Sequence, residues 1–263
     1  MGVPALERGI AILRLFRRDR MTINAPEVVS ELGFARSSAH SLLNALVELG
    51  LLRRMPDSRF ALDAGVLTLG FEYLGSLAIT DLAAPVLERL RDDTGWSTHL
   101  AVRQGRSIVY LSRFASRQAV TRNVAVGTSL PARTTAMGRI LLSDLEPTAL
   151  RALYADEWEA LVSQPKAASF AEFEAMLRAD RERGYAASEG YHEPGVRVVA
   201  APVRDASLQI VAAINAVAVG GPDDQLDCIV AKVVAAARNL SRLQGAPLSL
   251  PAVNDALLEG QAR

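Results

Sequence analysis

Residues 26–62 constrain this chain more than any other stretch, because two short helical patterns, a glycine break and two β segments follow one another there without a spare residue. Val28, Val29 and Leu32 give the first pattern one apolar face, and Gly33-Phe34 break it. The second pattern runs from about Ala35 to Leu49 with Ala39, Leu42, Leu46 and Leu49 on one stripe. Its other side carries Arg36, Ser37, Ser38, His40, Ser41 and Asn44, residue types that do not fill a core. Gly50 stands where a helix C-terminus favours glycine. Leu51–Arg54 and Arg59–Leu62 read as two strands around Met55-Pro56-Asp57-Ser58, a wing. A preceding helix, Pro4 to Phe16 with Leu6, Ile10 and Leu13 inward, supplies a third helix, and Asn24 and Glu27 have capping-box spacing. This is the layout of a winged helix-turn-helix whose second helix enters the DNA major groove.

The side chains suit that partner, double-stranded operator DNA. Arginine bridges guanine bidentately and asparagine does the same for adenine, so Arg36 and Asn44 are candidates for reading bases. Ser37, Ser38, His40 and Ser41 complete the groove-facing set. The serines and the wing arginines Arg53, Arg54 and Arg59 suit phosphate, which sets register and affinity rather than sequence. A helical hairpin with a solvated polar face is the bland alternative, and the third helix and the wing weigh against it.

Composition bounds the rest. The 263 residues suit one large or two ordinary domains, and half of them are apolar, so a sizeable core is available. Net charge is zero, but residues 1–60 hold nine arginines against six acids, which leaves a mildly basic head on a mildly acidic body. Cys228 is the single cysteine, which excludes an intrachain disulfide and any CxxC metal or redox site. No nucleotide-binding glycine motif, nucleophile elbow or HExxH helix occurs, and His40, His99 and His192 are not spaced as paired ligands. The expectation is therefore no enzyme, no metal and no cofactor. The N-terminus lacks an apolar signal core and no run is long enough to span a bilayer, so the expected location is cytoplasmic, with no membrane partner.

Beyond the wing, Asp63 to about Leu77 is apolar on several sides, with Gly70 and Gly75 available for close approach of another backbone. A helix from about Thr80 to Asp93 follows, then strands at Ser97–Arg103 and Ser107–Arg113, a loop through 127–131 and a helix over Arg133–Leu142. Ser169 and Glu172 form a capping box that opens a helix to about Arg183. Strands at Tyr185–Ser188, Val196–Val203 and Leu208–Val217 precede a long helix from about Asp223 to Leu243. Hairpin strands and clustered helices indicate an α+β fold with an antiparallel sheet. The expected organisation is a winged helix-turn-helix domain over 1–62, a linker helix over 63–79, a second domain over 80–245 and a tail over 246–263.

Four stretches carry a resemblance. Leu6 to Leu13, Arg36 to Leu43, Val126 to Arg139 and Gly195 to Val203 are similar to the opening helix, recognition helix, effector-domain loop and helix, and a late strand of the IclR family of winged-helix regulators. The resemblance covers Leu6 to about Leu243. It implies a homodimer, with a tetramer as a further assembly, acting as a repressor, and a GAF-like C-terminal domain that binds a small molecule. The loop through Met137-Gly138-Arg139 is most similar to regulators of aromatic-acid catabolism in the β-ketoadipate branch. Many members have arginine where this chain has Ser41, and some have an acid near Ser188 and a cysteine near Val198.

Positions matching the family's effector pocket are Leu130, Thr134, Thr135, Ala136, Met137, Ser188 and Val198, with His192 and Arg197 as further positive charge. A helix start offers unpaired N–H groups to a carboxylate, and an apolar wall suits an aromatic ring. The expected effector is thus a small organic acid, plausibly aromatic. Two alternatives are an enzyme with a dispersed catalytic site and a dimerising DNA-binding protein that senses no ligand.

Overall fold

Apolar spacing closes a small core of three helices and three short strands before the chain reaches residue 65. The computed structural model describes residues 3–17, 19–76, 78–116, 124–155, 169–189, 195–219 and 226–247. These divide into two units, 1–77 and 78–263.

In the first unit, α1 (Pro4–Leu13) is followed by β1 (Thr22–Asn24), α2 (Ala25–Leu32), α3 (Arg36–Glu48), β2 (Leu52–Arg54), β3 (Arg59–Leu62) and α4 (Gly65–Ser76). The capping box at α2 is reciprocal, with Asn24 Oδ1 accepting from Glu27 N at 2.9 Å and Glu27 Oε2 accepting from Asn24 N at 3.1 Å. Gly33 ends α2 in the left-handed region at φ 68°. Ile12, Ile23, Val28, Ala39, Leu43, Leu46, Leu52 and Phe60 form the core. The strands make an antiparallel sheet in the order β1-β3-β2, with Ile23 opposite Phe60.

Two expectations change here. Ile12 is the inward residue of α1, whereas Leu6 and Ile10 are exposed. On α3 the buried stripe is Ala39, Leu43 and Leu46, and Leu49 is exposed, because the helix leans on α2 and β2 by a face one residue away from the expected one. Within the unit a close backbone approach occurs at Gly65, where an added Cβ would overlap the Gly50 carbonyl, and Gly70 and Gly75 face open space. Gly65 N–H donates to that same carbonyl at 3.1 Å and seats the start of α4.

The second unit runs α5 (Ala78–Thr94), β4 (Ser97–Gln104), β5 (Ser107–Phe114), β6 (Ser129–Pro131), α6 (Ala136–Leu142), α7 (Pro147–Tyr154), α8 (Phe170–Arg183), β7 (Ala186–Glu189), β8 (Val196–Arg204), β9 (Ile210–Val219) and α9 (Leu226–Leu243). The six strands form one antiparallel sheet in the order β6-β5-β4-β9-β8-β7. The chain is therefore an α+β protein with an N-terminal winged helix-turn-helix. Helices α5 and α9 pack together along one sheet face, and α6 lies on the other with α8 outside it. Strand alternation divides the side chains accordingly. Ala101, Tyr110, Ala200 and Ala213 join α6 in one core, whereas the hydroxyl of Thr98 donates to the Leu87 carbonyl of α5 at 2.9 Å. The loop expected before α6 contains β6 and a 3-10 turn, Ala132–Thr134.

Helix α6 is buried at every residue. Gly138 makes this possible, since an added Cβ would overlap the backbone of Ala132. Its one charged residue, Arg139, pairs with the fully buried Asp180 of α8 at 2.9 Å, off the angle of a hydrogen bond, and donates to the Ala187 carbonyl of β7 at 2.9 Å. Arg183 contacts the other oxygen of Asp180. Burial pushes the Asp180 carboxyl up, and the two arginines only partly offset it.

Removing one member of such a pair strands a charge away from water. Asp180→Ala should destabilise the second unit by about 3–5 kcal/mol, whereas the double variant Asp180→Leu/Arg139→Met should recover most of that loss. Both tryptophans, Trp96 and Trp158, belong to this unit, so urea unfolding followed by tryptophan fluorescence reads it directly.

Candidate functional site

The exposed face of α3 is built by what its buried face uses. Ala39, Leu43 and Leu46 point inward, which turns Arg36, Ser37, His40 and Ser41 to solvent and leaves Ser38 and Asn44 half-buried at the margins. Ala35 caps α3 without a side-chain hydrogen bond, so the first-turn N–H groups keep open directions toward an acceptor such as phosphate.

The wing sits beside this face. Its turn holds Asp57 and Ser58 in the left-handed region at φ 63° and 57°, a conformation short polar residues tolerate. Arg53 and Arg54 are exposed on β2. Arg54 Nη2 donates to Asn44 Oδ1 at 2.8 Å and its guanidinium lies 5.8 Å from the Phe60 ring centroid. Two residues expected to touch DNA separately are thus joined to each other.

Arg59 does something else. Its Nε donates to Thr22 Oγ1 at 2.8 Å, and Nη2 donates to the Thr22 carbonyl at 2.9 Å and to Glu27 Oε1 at 3.0 Å. Arg20 donates to the same Glu27 at 3.0 Å and also contacts Glu31. Although burial pushes the Glu27 carboxyl up, hydrogen bonds from Arg20, the Asn24 backbone and Arg59 hold it below the ordinary glutamate value. Arg59, expected as a phosphate contact, thus also ties β3 to the start of α2.

In the second unit, the expected effector residues separate into groups. Leu130 on β6 is half-buried, and so are Ser188 and Val198, which face each other across β7 and β8. Thr134 donates to the Pro131 carbonyl at 3.2 Å. Thr135 caps α6 by accepting from Gly138 N at 3.0 Å, so one of the helix-start donors expected to meet a carboxylate is already taken. Ala136 and Met137 are 5% and 1% exposed and belong to the core. Strand alternation turns Arg197 to the sheet face opposite Val198, away from α6. His192 lies outside the described residues.

A polar group absent from the expected set lies on the α6 face. His99 on β4 is paired in register with Asn215 on β9 and Arg113 on β5. His99 Nδ1 and Asn215 Oδ1 are 2.9 Å apart, and the Tyr110 ring meets the imidazole edge-on at 5.4 Å. Burial, with the Arg113 charge adding to it, lowers the His99 pKa to about 4 despite the Asn215 hydrogen bond, and burial alone raises the Tyr110 hydroxyl to about 12. The signal was available in the sequence: His99 is two residues from Ala101 on a β strand, a polar residue in an apolar alternation. Among the described residues no cluster of His, Cys, Asp or Glu could hold a metal ion, and no helix is long and apolar enough to cross a membrane.

Comparison with known proteins covers both units. The IclR helix-turn-helix domain model matches residues 5–56, and the model of the bacterial transcriptional regulator IclR C-terminal region matches residues 71–242. The chain is 31% identical over 216 residues to the Pca regulon regulatory protein of Pseudomonas putida, covering 81% of this chain and 73% of that protein. Among solved structures, an IclR family transcriptional regulator from Brucella abortus superposes with a TM-score of 0.78 at 26% identity, covering 92% of each chain. An IclR homologue from Microbacterium hydrocarbonoxydans, complexed with 4-hydroxybenzoate, shares the fold with a TM-score of 0.76 at 24% identity, covering 90% of this chain and 98% of that one.

The depressed His99 pKa makes stability pH-dependent with a definite sign. The imidazole is neutral when folded and protonates from about 6.5 when unfolded, so its contribution is complete above pH 6.5 and is lost as pH falls toward 4. Over that window His99 should cost the second unit about 3 kcal/mol, and His99→Gln should flatten the slope. Urea unfolding at pH 7.0, 6.0 and 5.0, read by tryptophan fluorescence, measures both.

Proposed function

The chain belongs to the IclR family of DNA-binding transcriptional regulators, and from that premise we propose that it acts as a homodimeric repressor released from its operator by a small organic acid, foremost an aromatic carboxylate. The observation that carries the DNA half is the exposed row Arg36, Ser37, His40 and Ser41 on α3, set beside the exposed wing arginines Arg53 and Arg54. The row reads bases and the wing holds phosphate. Asn44 reads a base when Arg54 exchanges it for a backbone phosphate.

Dimerisation follows from how little one recognition helix covers. A single helix reads a few base pairs, and useful specificity needs two half-sites related by a two-fold axis. Support comes from the apolar surface of the first unit: Val3 and Leu6 on or beside α1, and Leu67 and Leu69 on α4, are more than 60% exposed. Exposed apolar groups concentrated on two helices mark a contact rather than the usual scatter of single residues.

The effector half rests on the α6 face of the second unit, where Leu130, Val198 and Ser188 border α6 and a buried polar group lies beside them. Apolar walls with a few convergent polar groups are the usual make-up of a small-molecule site. The 4-hydroxybenzoate bound by the Microbacterium homologue makes that acid the natural first probe.

Three measurements test these assignments. Arg36→Ala should change sequence preference by about 1–3 kcal/mol at one position of each half-site, while Arg53→Ala should weaken all sequences alike and flatten the salt dependence. An unchanged ratio of operator to random DNA for Arg36→Ala rejects the base-reading role. Leu67→Asp should give a monomer by sedimentation velocity and lose operator binding with it; a wild-type monomer that binds a full operator tightly would sink the dimer. In a thermal-shift series, benzoate or 4-hydroxybenzoate at 100 times its Kd should stabilise the second unit by about 2.7 kcal/mol, and the neutral 4-hydroxybenzamide should not.

A further inference from the structure

We infer that Arg113, His99 and Asn215, side by side across β5, β4 and β9, form the end of the effector site that takes the acid's carboxylate, with proton uptake at His99. The inference rests on the reading that the second unit binds a small organic acid. It names which residues hold the charged end.

Register supplies the geometry. His99 stands opposite Arg113 on one side and opposite Asn215 on the other, and residues directly opposite in antiparallel strands project from the same face. That face is the one under α6, because Ala101 and Ala213, each two residues along from the row, and Ala200, opposite Asn215, are in the α6 core. A register shift between Leu100 and Ala101 leaves Leu111 unpaired on β5, so Tyr110 and Arg113 both come to this face although three residues apart. One step further, Val198 opposite Val217 and Ser188 opposite Val198 continue the surface toward β7. The row therefore adjoins the apolar wall that would hold the body of the acid.

The row's hydrogen bonding is incomplete. His99 and Asn215 are each 4% exposed, and their mutual contact uses one ring nitrogen and the amide oxygen. Among the described residues the second ring nitrogen and the amide nitrogen have no partner, and neither atom is fully sealed from solvent. The guanidinium of the half-buried Arg113 has no ion pair or hydrogen bond among the described residues. Buried polar groups are normally satisfied, and a carboxylate has acceptor sites enough for all three. The guanidinium matches it in a fork, and the amide and imidazole close on its flanks.

The imidazole adds a condition. With Nδ1–H donating to Asn215 Oδ1, a neutral His99 presents a lone pair at Nε2, which repels a carboxylate. Protonation of Nε2 converts it to a donor, so the acid and a proton bind together. The groups facing His99 are Arg113 and Tyr110 from β5 and Asn215 from β9; Ser97 on β4 is occupied by the Ser116 N–H, and the one charged residue of α6, Arg139, is held by Asp180 and Ala187. None of the described groups in that set is an anion able to hold the proton without a ligand.

Isothermal titration of the full chain with benzoate and 4-hydroxybenzoate at pH 6 and pH 8 tests the assignment; both acids stay ionised as carboxylates across this range. Wild type should bind at least tenfold more tightly at pH 6, Arg113→Gln should lose at least tenfold at either pH, and His99→Gln should bind with no pH slope. Should His99→Gln fail to fold, His99→Asn takes its place, and Arg113→Gln, at a half-buried position, carries the first test by itself. Acids that bind wild type and every variant alike, or a wild-type affinity that does not change with pH, overturn the row and leave acid sensing intact. If neither acid binds wild type at either pH, acid sensing fails and the row falls with it.

Discussion

The absence of a side chain at residue 138 is the constraint on which the second unit depends. Because Gly138 carries only a hydrogen, the turn at Ala132–Thr134 lies directly against α6. That contact sets Thr135 in place to cap the helix and brings seven consecutive residues under cover at once. A helix buried all round has no solvated side on which to put a charge, so Arg139 must find its counter-charge inside, at Asp180. The ion pair and the Ala187 contact then fix α8 and β7 relative to α6. Desolvation works against such a pair, which makes it a device for a unique arrangement rather than a source of net stability.

The first unit solves a different problem with the same chemistry. Its core is small, and its β elements are only three or four residues long, too short to hold a wing by backbone pairing alone. Glu27 gathers Arg20, Arg59 and the Asn24 backbone around one carboxylate, so the helix cap, the loop before β1 and the third strand share a single anchor. Arg53 and Arg54 stay exposed on β2. Arg54 donates to Asn44, a contact that orders both side chains.

Long, strongly periodic segments were legible in the sequence, and short or two-faced ones were not. The helix-turn-helix, the wing, both capping boxes and five of the six strands of the large sheet follow from spacing, because a repeated pattern averages over any one residue. Strand β1 escapes, since Thr22-Ile23-Asn24 is too brief to show alternation and abuts the α2 cap. Leu6 and Ile10 are exposed although spacing expects them inward, because apolar spacing tells which residues share a face and not what covers it. The tie made by Arg59 is equally hidden, because a wing arginine shows no partner in the sequence until the Glu27 carboxylate is placed. Of the expected ligand-site residues, Met137 is in the core and Arg197 lies on the sheet face away from α6, placements that strand register and burial show and spacing does not. His99 and Asn215 are 116 positions apart in the chain, and only strand register shows them to be neighbours.

The extra residue in β5 has an evolutionary consequence. Deleting Leu111 would restore even pairing with Tyr110 still opposite Ala101 and Arg113 still opposite His99, so β5 can lose a residue there without turning any other side chain to the opposite face. Substitution at position 113 changes one group while the strand stays in register. Strand β4 has no such spare residue, and losing Leu100 would turn His99 and Ala101 to opposite faces. Lineages descending from this protein should accordingly accept a one-residue gap at the β5 bulge and none in the facing stretch of β4.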